Sequence, residues 1–436
     1  MTTVECDILV VGGGPAGSTA AALLAEAGHD VLLVEKARHP RFHIGESLLP
    51  RNTELLERLG LVDRVAAIGV HKPGAEFVSD ETGTAVQFSF AEGLDRRFTS
   101  SWQVRRAEFD ALLFQAAVDR GARTMQDTRV IAVEPGAAGR RGRVQTTGPA
   151  GDFAIAPRYV LDASGRDTLM AGKLGSKRSD KRTNSAAVYG HYTGVAFREG
   201  ALEGYISVHL VADGWFWMIP LPDGVMSVGF VGNPAVFKGR AGSAAALLAE
   251  RIALSPSVSA RMRHAELASE VVATGNYSYA SSTMGGDGYL MIGDAFAFLD
   301  PVFSSGVLLA MTSGEKGAAV AAAWLADPAR SRVMARAMER EMRHAMQRIA
   351  WLITRINTPA LRLLFMAPRN VFRMRDGLVS LLAGNLRGTW GSVFPVLAFK
   401  GVYHVTTLLL RLGLQRPTAR AAADAGTAAG AMQAAE

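Results

Sequence analysis

A glycine-rich turn near the N-terminus limits the possible folds of this chain more than any other feature. The turn, Gly-Gly-Gly-Pro-Ala-Gly at 12–17, follows an apolar segment at 7–11 and precedes an Ala/Leu-rich helical pattern that extends to about Ala27. Gly28 suits the end of that helix, and a second apolar run follows at 31–35. This order predicts a βαβ unit of about 30 residues and therefore a parallel sheet.

The spacing of the glycines indicates a dinucleotide site. Gly12 permits the tight turn, Gly14 lets the backbone approach a pyrophosphate, and Gly17 allows the helix to pack closely on the strand. Pro15 and Ala16 lie in the first helical turn, where N–H groups and the helix dipole favour a phosphate. All five residues are predicted cofactor contacts.

Two later turns favour FAD over NAD. Asp-Ala-Ser-Gly at 162–165 follows a predicted strand, and Gly293 and Asp294 follow another about 130 residues later. Turns of this kind are typical of folds in which FAD lies extended, with an aspartate near a second part of the nucleotide. Together with Glu35, which suits a ribose hydroxyl at the end of the second strand, three turns in this order predict FAD. The further predicted contacts are Glu35, Lys36, Asp162, Gly165 and Asp294.

The rest of the chain divides by pattern. We expect a helix capped by Ser47 and closed by Gly60, and a stripe of methionines from Met334 to Met346 that either packs in the core or lines an apolar opening. The predicted domains are an FAD-binding domain at 1–184 with an insertion at about 70–105 and a continuation at 270–326, a substrate-facing sheet at 185–269, a helical region at 327–416 and a disordered tail at 417–436.

Composition and charge bear on location and partners. The single cysteine, Cys6, excludes an intramolecular disulfide and favours the cytoplasm, and neither a secretory signal nor an uncharged span of about 18 apolar residues is evident. From residue 328 onward there are 16 Lys and Arg against 5 Asp and Glu, although the whole chain is only +7. This basic region suits an acidic partner or a solvated surface. A membrane, nucleic acid or metal site is not expected.

Four segments carry a family resemblance. They are Ile-Gly-Glu-Ser-Leu-Leu-Pro at 44–50, Gln-Val-Arg-Arg-Ala-Glu-Phe-Asp at 103–110, Trp-Phe-Trp-Met-Ile-Pro at 215–220 and Phe-Leu-Asp-Pro-Val-Phe-Ser-Ser-Gly at 298–306. Over about residues 5–320 the sequence resembles the flavin-dependent halogenases of the FAD-dependent monooxygenase superfamily. The resemblance implies an α/β fold: a Rossmann-like FAD-binding domain of the aromatic-hydroxylase type, an antiparallel-sheet substrate domain and a helical C-terminal region.

The resemblance also assigns site residues. It implies FAD contacts at Gly45, Glu46, Ser47, Arg106, Pro301 and Gly306. It implies that the backbone N–H groups of Ser305 and Gly306 hold chloride or bromide at a helix entrance. Ser304 is a catalytic candidate, and the substrate-pocket motif residues are Trp215, Trp217, Pro220 and Phe303.

Lys72 matches the essential lysine of these enzymes, in the segment Gly-Val-His-Lys-Pro-Gly-Ala at 69–75. Reduced FAD, O2 and halide yield hypohalous acid there, and the acid travels to a separate substrate pocket. An ammonium group makes the halogen more electrophilic by hydrogen bonding, and a neutral amine carries it as a haloamine. Both forms are accessible because burial lowers a lysine pKa.

Phe303 departs from the tryptophan-type halogenases, which have a glutamate there. Its presence favours a phenol or a pyrrole, free or bound to an acyl or peptidyl carrier protein. His71 is one candidate for the base that removes a phenol proton, although a solvated role fits it as well.

Two other functional classes stay open from the sequence alone. One is an FAD-dependent aromatic hydroxylase or a geranylgeranyl-reductase-like oxidoreductase without halogenation. The other is a non-catalytic, membrane-associated flavoprotein that uses the apolar segment at 390–414. Because a second dinucleotide fingerprint is not apparent, we expect a separate flavin reductase to supply the reduced FAD.

Overall fold

The computed structural model describes residues 3–149, 151–179, 185–238, 242–275, 278–386 and 390–414. The chain divides into two units, each assembled from three segments. Unit 1 comprises Met1–His71, Ser101–Asn184 and Asn276–Ala350, and unit 2 comprises Lys72–Ser100, Ser185–Gly275 and Trp351–Glu436. The predicted disordered tail at 417–436 lies outside the described residues.

Unit 1 is built on a parallel sheet, as the glycine turn predicted. The strand Thr3–Val11 lies between Val31–Val34 and Gly151–Asp162, and Gly151–Asp162 also pairs in parallel with Tyr289–Met291. The carboxyl-terminal parts of these strands are buried, as expected for a sheet covered on both faces. The remaining strands of this sheet are Arg123–Met125, Arg129–Glu134, Arg143–Gly148 and Gly285–Gly286.

Four long helices surround this sheet. They are Pro15–Glu26, Arg106–Asp119, Gly306–Ala326 and Pro328–Ile353. Met338, Met342 and Met346 belong to the same buried cluster as the sheet, so the methionine stripe of Pro328–Ile353 packs in the core of unit 1. The shorter helices are Asn52–Arg58, Val62–Ala67 and Leu169–Lys173, and a small sheet contains Lys177–Ser179, Tyr279–Ser281 and Ala297–Phe298.

Unit 2 contains a largely antiparallel sheet, as predicted for the substrate-facing region. Its order is Glu266–Leu267, Ala186–Thr193, Val225–Gly232, Gly214–Leu221, Ile206–Val211, Gly74–Ser79 and Thr84–Ser89, and Val272–Gly275 also pairs with Ala186–Thr193. Gly74–Ser79 and Thr84–Ser89 form the predicted antiparallel insertion. Gly74–Ser79 runs parallel to Ile206–Val211, which joins the insertion to the larger sheet.

Helices cover both faces of the unit 2 sheet. Phe216 and Met218 pack in one cluster with Leu247 and Val258, which belong to the helices Ala244–Leu254 and Pro256–Arg261. On the opposite face, the Phe77 ring lies 4.6 Å from that of Phe365 in the helix Pro359–Met366. The alternation of strand side chains places Trp215 and Trp217 on this second face, in register with the strand that carries Phe77.

The last helix, Trp390–Arg411, has an exposed apolar side. Phe394, Leu397, Val405 and Leu408 are each more than half exposed. Its window Val393–Arg411 is long and apolar enough to cross a membrane by length and composition, and 28% of that window is buried. A single such helix is weak evidence for a membrane span.

One sequence prediction needs correction. Ser47 does not cap the following helix, which begins at Asn52 after Arg51, because residues 46–48 hydrogen-bond to the strand Ser101–Val104. The predicted domain bounds stay a prediction, and the two units of the structure group their segments as follows. Residues 72–100 group with unit 2 through their sheet pairing, and most of Pro328–Ile353 groups with unit 1 through its core packing.

Candidate functional site

Three turns meet at one edge of the unit 1 sheet. Val11 pairs with both Val34 and Asp162, and Asp162 pairs with Met291, so the carboxyl ends of these four strands are aligned. The turns at 12–17, 162–165 and 293–295 follow directly. Ligands of open parallel sheets bind outside such carboxyl ends. The structure therefore brings the three predicted cofactor segments together.

Glycine is required where these turns touch. A Cβ on Gly12, whose φ is +107°, would lie 2.3 Å from the carbonyl oxygen of Ala163, and one on Gly17 would lie 1.9 Å from the oxygen of Gly12. A Cβ on Gly293 would lie 3.0 Å from the Cβ of Ala16. Backbone contacts this close leave no room for a side chain, so the packing of the turns depends on their glycines.

We call the edge of the sheet where the turns at 12–17, 162–165 and 293–295 meet the cofactor edge. The helix Pro15–Glu26 begins there, with Gly14 at the N-cap position and without a side-chain cap. Its first N–H groups are consequently available to an anion. Glu35, only 3% exposed, accepts hydrogen bonds from the N–H groups of Gly13 and Ala37 at 2.7 and 3.0 Å. The glycine turn and the predicted ribose-binding carboxylate are thus directly connected.

A buried charge network that sequence reasoning missed lies beside this turn. Arg41 reaches Glu35 and Asp110 at 3.6 and 3.5 Å, and its Nη2 is 3.5 Å from the position of a Cβ on Gly14. Asp110 also binds Arg106 in a bidentate pair at 2.8 and 3.0 Å. Arg41 belongs to a basic loop visible in the sequence, but its pairing with Asp110 spans 69 positions and has no local signal. Its guanidinium suits a phosphate.

Arg106 is buried and positions a second loop. Its Nη1 donates a 2.5 Å hydrogen bond to the carbonyl of Ile44 and lies 2.9 Å from the position of a Cβ on Gly45. Gly45 has a φ of +102°, a conformation that glycine adopts without strain. Glu46 and Ser47 follow, both buried.

Asp162 stabilises the second turn through hydrogen bonds to the backbone. Its two carboxylate oxygens accept the N–H groups of Ser164 and Met170 at 3.0 and 2.8 Å, and the side chain is fully buried. The bonds hold the turn that contains Gly165, at φ +63°. Beyond the turn, the exposed Lys36 pairs with Asp167. Direct cofactor contacts of Asp162, Gly165 and Lys36 stay predictions.

Asp294 differs from Asp162 in its surroundings. Burial raises its pKa to about 6, against the opposing influence of Arg106 and Arg166. Its backbone carbonyl accepts the Tyr279 hydroxyl at 2.9 Å, and the preceding Gly293 N–H donates to Ser313 at 2.7 Å. These bonds fix the backbone of a residue that lines a small cavity.

The residues at this edge fit FAD. The buried Ser47 Oγ has no hydrogen-bond partner among the described residues, which is the pattern left by a polar ligand. The uncapped helix N-terminus, Arg41 and the glycine cradle suit a pyrophosphate, and Glu35 suits a ribose. Bound here, FAD would supply the redox chemistry that protein side chains lack.

The predicted halide segment lies at the same end of unit 1. Ser304 has a φ of +54°, a strained conformation for a non-glycine residue and one that is frequent at functional sites. Ser305 is buried at the N-cap position of the helix Gly306–Ala326 without a side-chain cap, and a Cβ on Gly306 would meet no atom within 4 Å. The first N–H groups of this helix consequently have no side-chain cap from Ser305. Pro301 and the buried Phe303 form the short 3-10 turn just before it.

A cavity of about 20 Å³ adjoins this segment. Asp294, Ser305 and Gly306 line one part of it, and Met342 and Met346 line another. Such a volume accommodates about one water-sized group. The cavity thus joins the predicted halide segment to the methionine stripe.

Lys72 lies in unit 2 and is only 1% exposed. Desolvation lowers its pKa from 10.5 to about 7, and its Nζ lies 5.3 Å from the centroid of the Phe90 ring. The helix Met374–Leu382 packs over the segment after Phe90, where Leu94 donates a 2.6 Å hydrogen bond to Ser380. The neighbouring His71 lies in the same short strand, Gly69–Lys72, and points to the opposite face. It is exposed, which fits the solvated role.

The tryptophan motif is buried in the strand Gly214–Leu221. The rings of Trp215 and Trp217 lie 5.9 Å apart, and the indole N–H of Trp217 donates to Ser227 at 3.1 Å. Trp217 also occupies the space above Gly229, whose Cβ would lie 2.2 Å from the indole. Pro220 lies near the end of the strand, opposite Met226. Packing explains these contacts, and a substrate role for the motif stays a prediction.

Sequence comparisons show what this chain is similar to. The family model described as FAD binding domain matches residues 5–351. The chain is 37% identical to the tryptophan 2-halogenase of Chondromyces crocatus over 72% of its own length and 60% of that protein. It is 33% identical to the flavin-dependent halogenase armH3 of Armillaria mellea over 73% of its length and 68% of that protein.

A bacterial relative has a different substrate in its name. The chain is 29% identical to the 1H-pyrrole-2-carbonyl-(peptidyl-carrier protein) chlorinase of Pseudomonas fluorescens over 72% of its own length and 75% of that protein. The match spans 60 to 64% of the length of three longer relatives: the tryptophan 2-halogenase, the flavin-dependent halogenase rdc2 of Metacordyceps chlamydosporia and the flavin-dependent halogenase armH5 of Armillaria mellea.

Solved structures agree on the fold. A flavoprotein/dehydrogenase from Cytophaga hutchinsonii superposes with a TM-score of 0.83 at 28% identity, covering 93% of this chain and 99% of that one. The myxobacterial chondrochloren halogenase CndH superposes with a TM-score of 0.75 at 26% identity, covering 89% of this chain and 99% of that one.

Proposed function

We propose that this chain, which belongs to the flavin-dependent halogenases of the FAD-binding-domain family, uses reduced FAD, O2 and chloride or bromide to halogenate an electron-rich aromatic. The proposal rests above all on Lys72, a fully buried lysine whose pKa is about 7. Removing a lysine ammonium group from water costs free energy. Buried groups with a strongly shifted pKa are concentrated at functional sites.

Unit 1 holds FAD and halide in this proposal. Gly12, Gly14 and Gly17 bring the backbone to the pyrophosphate, with Arg41 as a further cation. The N–H groups of Ser305 and Gly306 bind chloride or bromide at the entrance of the Gly306–Ala326 helix, since helix N-termini favour anions. FAD, when bound, supplies the oxidising equivalents that turn halide into hypohalous acid.

Lys72 activates the acid in unit 2. As an ammonium, its Nζ donates a hydrogen bond to the oxygen of the hypohalous acid and makes the halogen more electrophilic. As an amine, it attacks the halogen and forms an N–halogen bond, and water leaves. A pKa of about 7 populates both forms near neutral pH. The aromatic ring then takes the halogen and loses a proton.

Phe303 and the pyrrole chlorinase relative support a substrate class different from that of the tryptophan 2-halogenase relative. A buried phenylalanine replaces the glutamate of the tryptophan-type enzymes, so we infer a phenol or a pyrrole, whose own heteroatom activates the ring. The pyrrole chlorinase relative acts on a carrier-bound substrate, and the cationic C-terminal region suits an acidic acyl or peptidyl carrier protein. Delivery is tested by offering the same aromatic free and carrier-bound.

The deciding experiment compares Lys72→Met with Lys238→Met. Lys238 is an exposed lysine of the same unit and serves as a matched control. With a flavin reductase, FAD, O2, bromide and a panel of phenols, pyrroles and tryptophan, wild type and Lys238→Met should form brominated product. Lys72→Met should lose roughly a thousandfold or more of this activity while binding FAD and releasing hydrogen peroxide normally. Unchanged bromination by Lys72→Met would remove its role.

The fold also supports an alternative function without halogenation, because it is shared with a flavoprotein/dehydrogenase. An aromatic hydroxylase or a geranylgeranyl-reductase-like enzyme would give an oxygenated or reduced product without bromine in the same assay. We further propose a cytoplasmic location and a separate flavin reductase. Loss of product when the reductase is omitted, and its recovery with chemically reduced FAD, would test the second point.

A further inference from the structure

The cavity beside the halide segment is lined in part by residues that the proposed reaction does not use. Met342 and Met346 line it together with Ser305 and Gly306, the residues proposed to bind halide. The two methionines are one helical turn apart in Pro328–Ile353, and each is less than 10% exposed. Their side chains are thus confined to the cavity and the core around it.

The same helix contains an internal comparison. Met338 lies one turn before Met342 and is equally buried, at 4% exposure, yet it is not among the residues that line the cavity. All three belong to one hydrophobic cluster. Any chemistry that depends on the cavity should therefore distinguish Met342 and Met346 from Met338.

Thioethers are the side chains in this cavity that react most readily with an electrophilic halogen. The sulfur donates an electron pair to the halogen, so an S–halogen bond forms while the halogen–oxygen bond breaks and hydroxide leaves. Water then adds to the sulfur and displaces the halogen as halide, which has passed from the +1 to the −1 state. Loss of two protons, one of which neutralises the hydroxide, leaves the sulfoxide. Atoms and charges balance without a further oxidant.

We propose that Met342 and Met346 form a capture site that is oxidised to methionine sulfoxide by hypohalous acid retained in the halide cavity. This inference rests on the proposed function, because that function supplies the oxidant. Acid that leaves for Lys72 is used on substrate, and acid that stays is in a cavity lined by the two thioethers.

The test maps methionine oxidation in the full chain. The FAD-loaded enzyme turns over with a flavin reductase, O2 and bromide, without an aromatic acceptor and with catalase to remove hydrogen peroxide. Peptide mass spectrometry should find sulfoxide at Met342 and Met346 roughly fivefold or more above Met338. Omitting bromide should reduce the signal to that of Met338.

Parallel reactions with a phenol separate the possible failures. The capture site is overturned, and the proposed function left intact, if phenol is brominated but Met342 and Met346 show no bromide-dependent sulfoxide. The same holds if Met338 is oxidised to the same extent. Absence of both the product and the sulfoxide overturns both.

Leucine variants give a second readout. Met342→Leu with Met346→Leu conserves volume and apolarity, and Met338→Leu is the matched control. In the first turnover more hypobromous acid should reach a β-diketone trap in solution from the double variant than from wild type or the control. Equal escape from all three proteins would count against capture.

Discussion

The cofactor edge of unit 1 and the surroundings of Lys72 in unit 2 are built by opposite means. At the cofactor edge the backbone itself forms the site, through a helix N-terminus without a side-chain cap and glycines at which an added Cβ would lie 1.9 to 2.3 Å from a carbonyl oxygen. At the lysine site a single charged side chain is surrounded by protein, with an aromatic ring 5.3 Å away. Shape governs the first site, and desolvation governs the second.

This difference determines what a mutation can do. A methyl group added to a turn that has no space disrupts the turn whatever the pH. A change at the lysine alters a proton equilibrium, so its effect varies with pH. The two sites should therefore separate in experiments that combine substitution with titration.

The largest effect is expected for Gly17→Ala. The new Cβ would overlap the carbonyl oxygen of Gly12 at 1.9 Å, and backbone cannot move aside as a side chain can. We expect the free energy of unfolding to fall by about 3–5 kcal/mol and FAD binding to be lost, measured by urea unfolding and flavin fluorescence. Gly172→Ala, which would meet no atom within 4 Å, should be neutral. Normal FAD binding by Gly17→Ala would refute the steric explanation.

An effect that depends on pH is expected at Lys72. Its pKa is about 7 in the folded chain and near 10.5 when unfolded, so between these values the unfolded state holds one more proton. Stability should therefore rise with pH in this window, by about 1.4 kcal/mol per pH unit relative to Lys72→Met. Below pH 7 both states are protonated and the difference should be constant. The measurement is the free energy of unfolding in urea, as a function of pH, for wild type and Lys72→Met. A constant difference between the two proteins across the window would contradict a buried, desolvated lysine.

The smallest effect is expected for Asp294→Asn. Because burial raises the pKa of this carboxyl to about 6, the folded state holds more protons between pH 3.8 and 6, and stability falls as pH rises through that window. At neutral pH the neutral amide should stabilise the chain by about 1–2 kcal/mol while FAD affinity falls roughly tenfold. The exposed Asp287→Asn should leave FAD affinity unchanged. A destabilised Asp294→Asn would reject this account.

Much of unit 1 was predictable because its signals are local. The strand, glycine turn and second strand appear where the sequence placed them, and the FAD-binding α/β fold is confirmed. Gly28 and Gly60 both have positive φ at helix ends, as their positions after apolar helices indicated.

The features that could not be predicted depend on distant pairing. Ser47 looked like a helix cap because the strand that pairs with it lies more than 50 residues away. The same reason explains why the Arg41–Asp110 pair was not predicted, and why Met342 was not expected to line one cavity with Ser305. In each case the partners are distant in sequence, and neither has a local pattern that identifies the other. For Lys72 the sequence indicated the residue, and only the structure gives its complete burial.

The order of the strands has a consequence for biosynthesis. Tyr289–Met291 pairs with Gly151–Asp162, and the turn at Gly293 packs against Ala16, so the cofactor edge combines segments made early and late during translation. A ribosome must release the unit 2 strands from 185 to 275 before the last turn emerges. Cofactor loading is therefore a late event in synthesis, and nascent chains that stop before residue 289 should emerge as apoprotein.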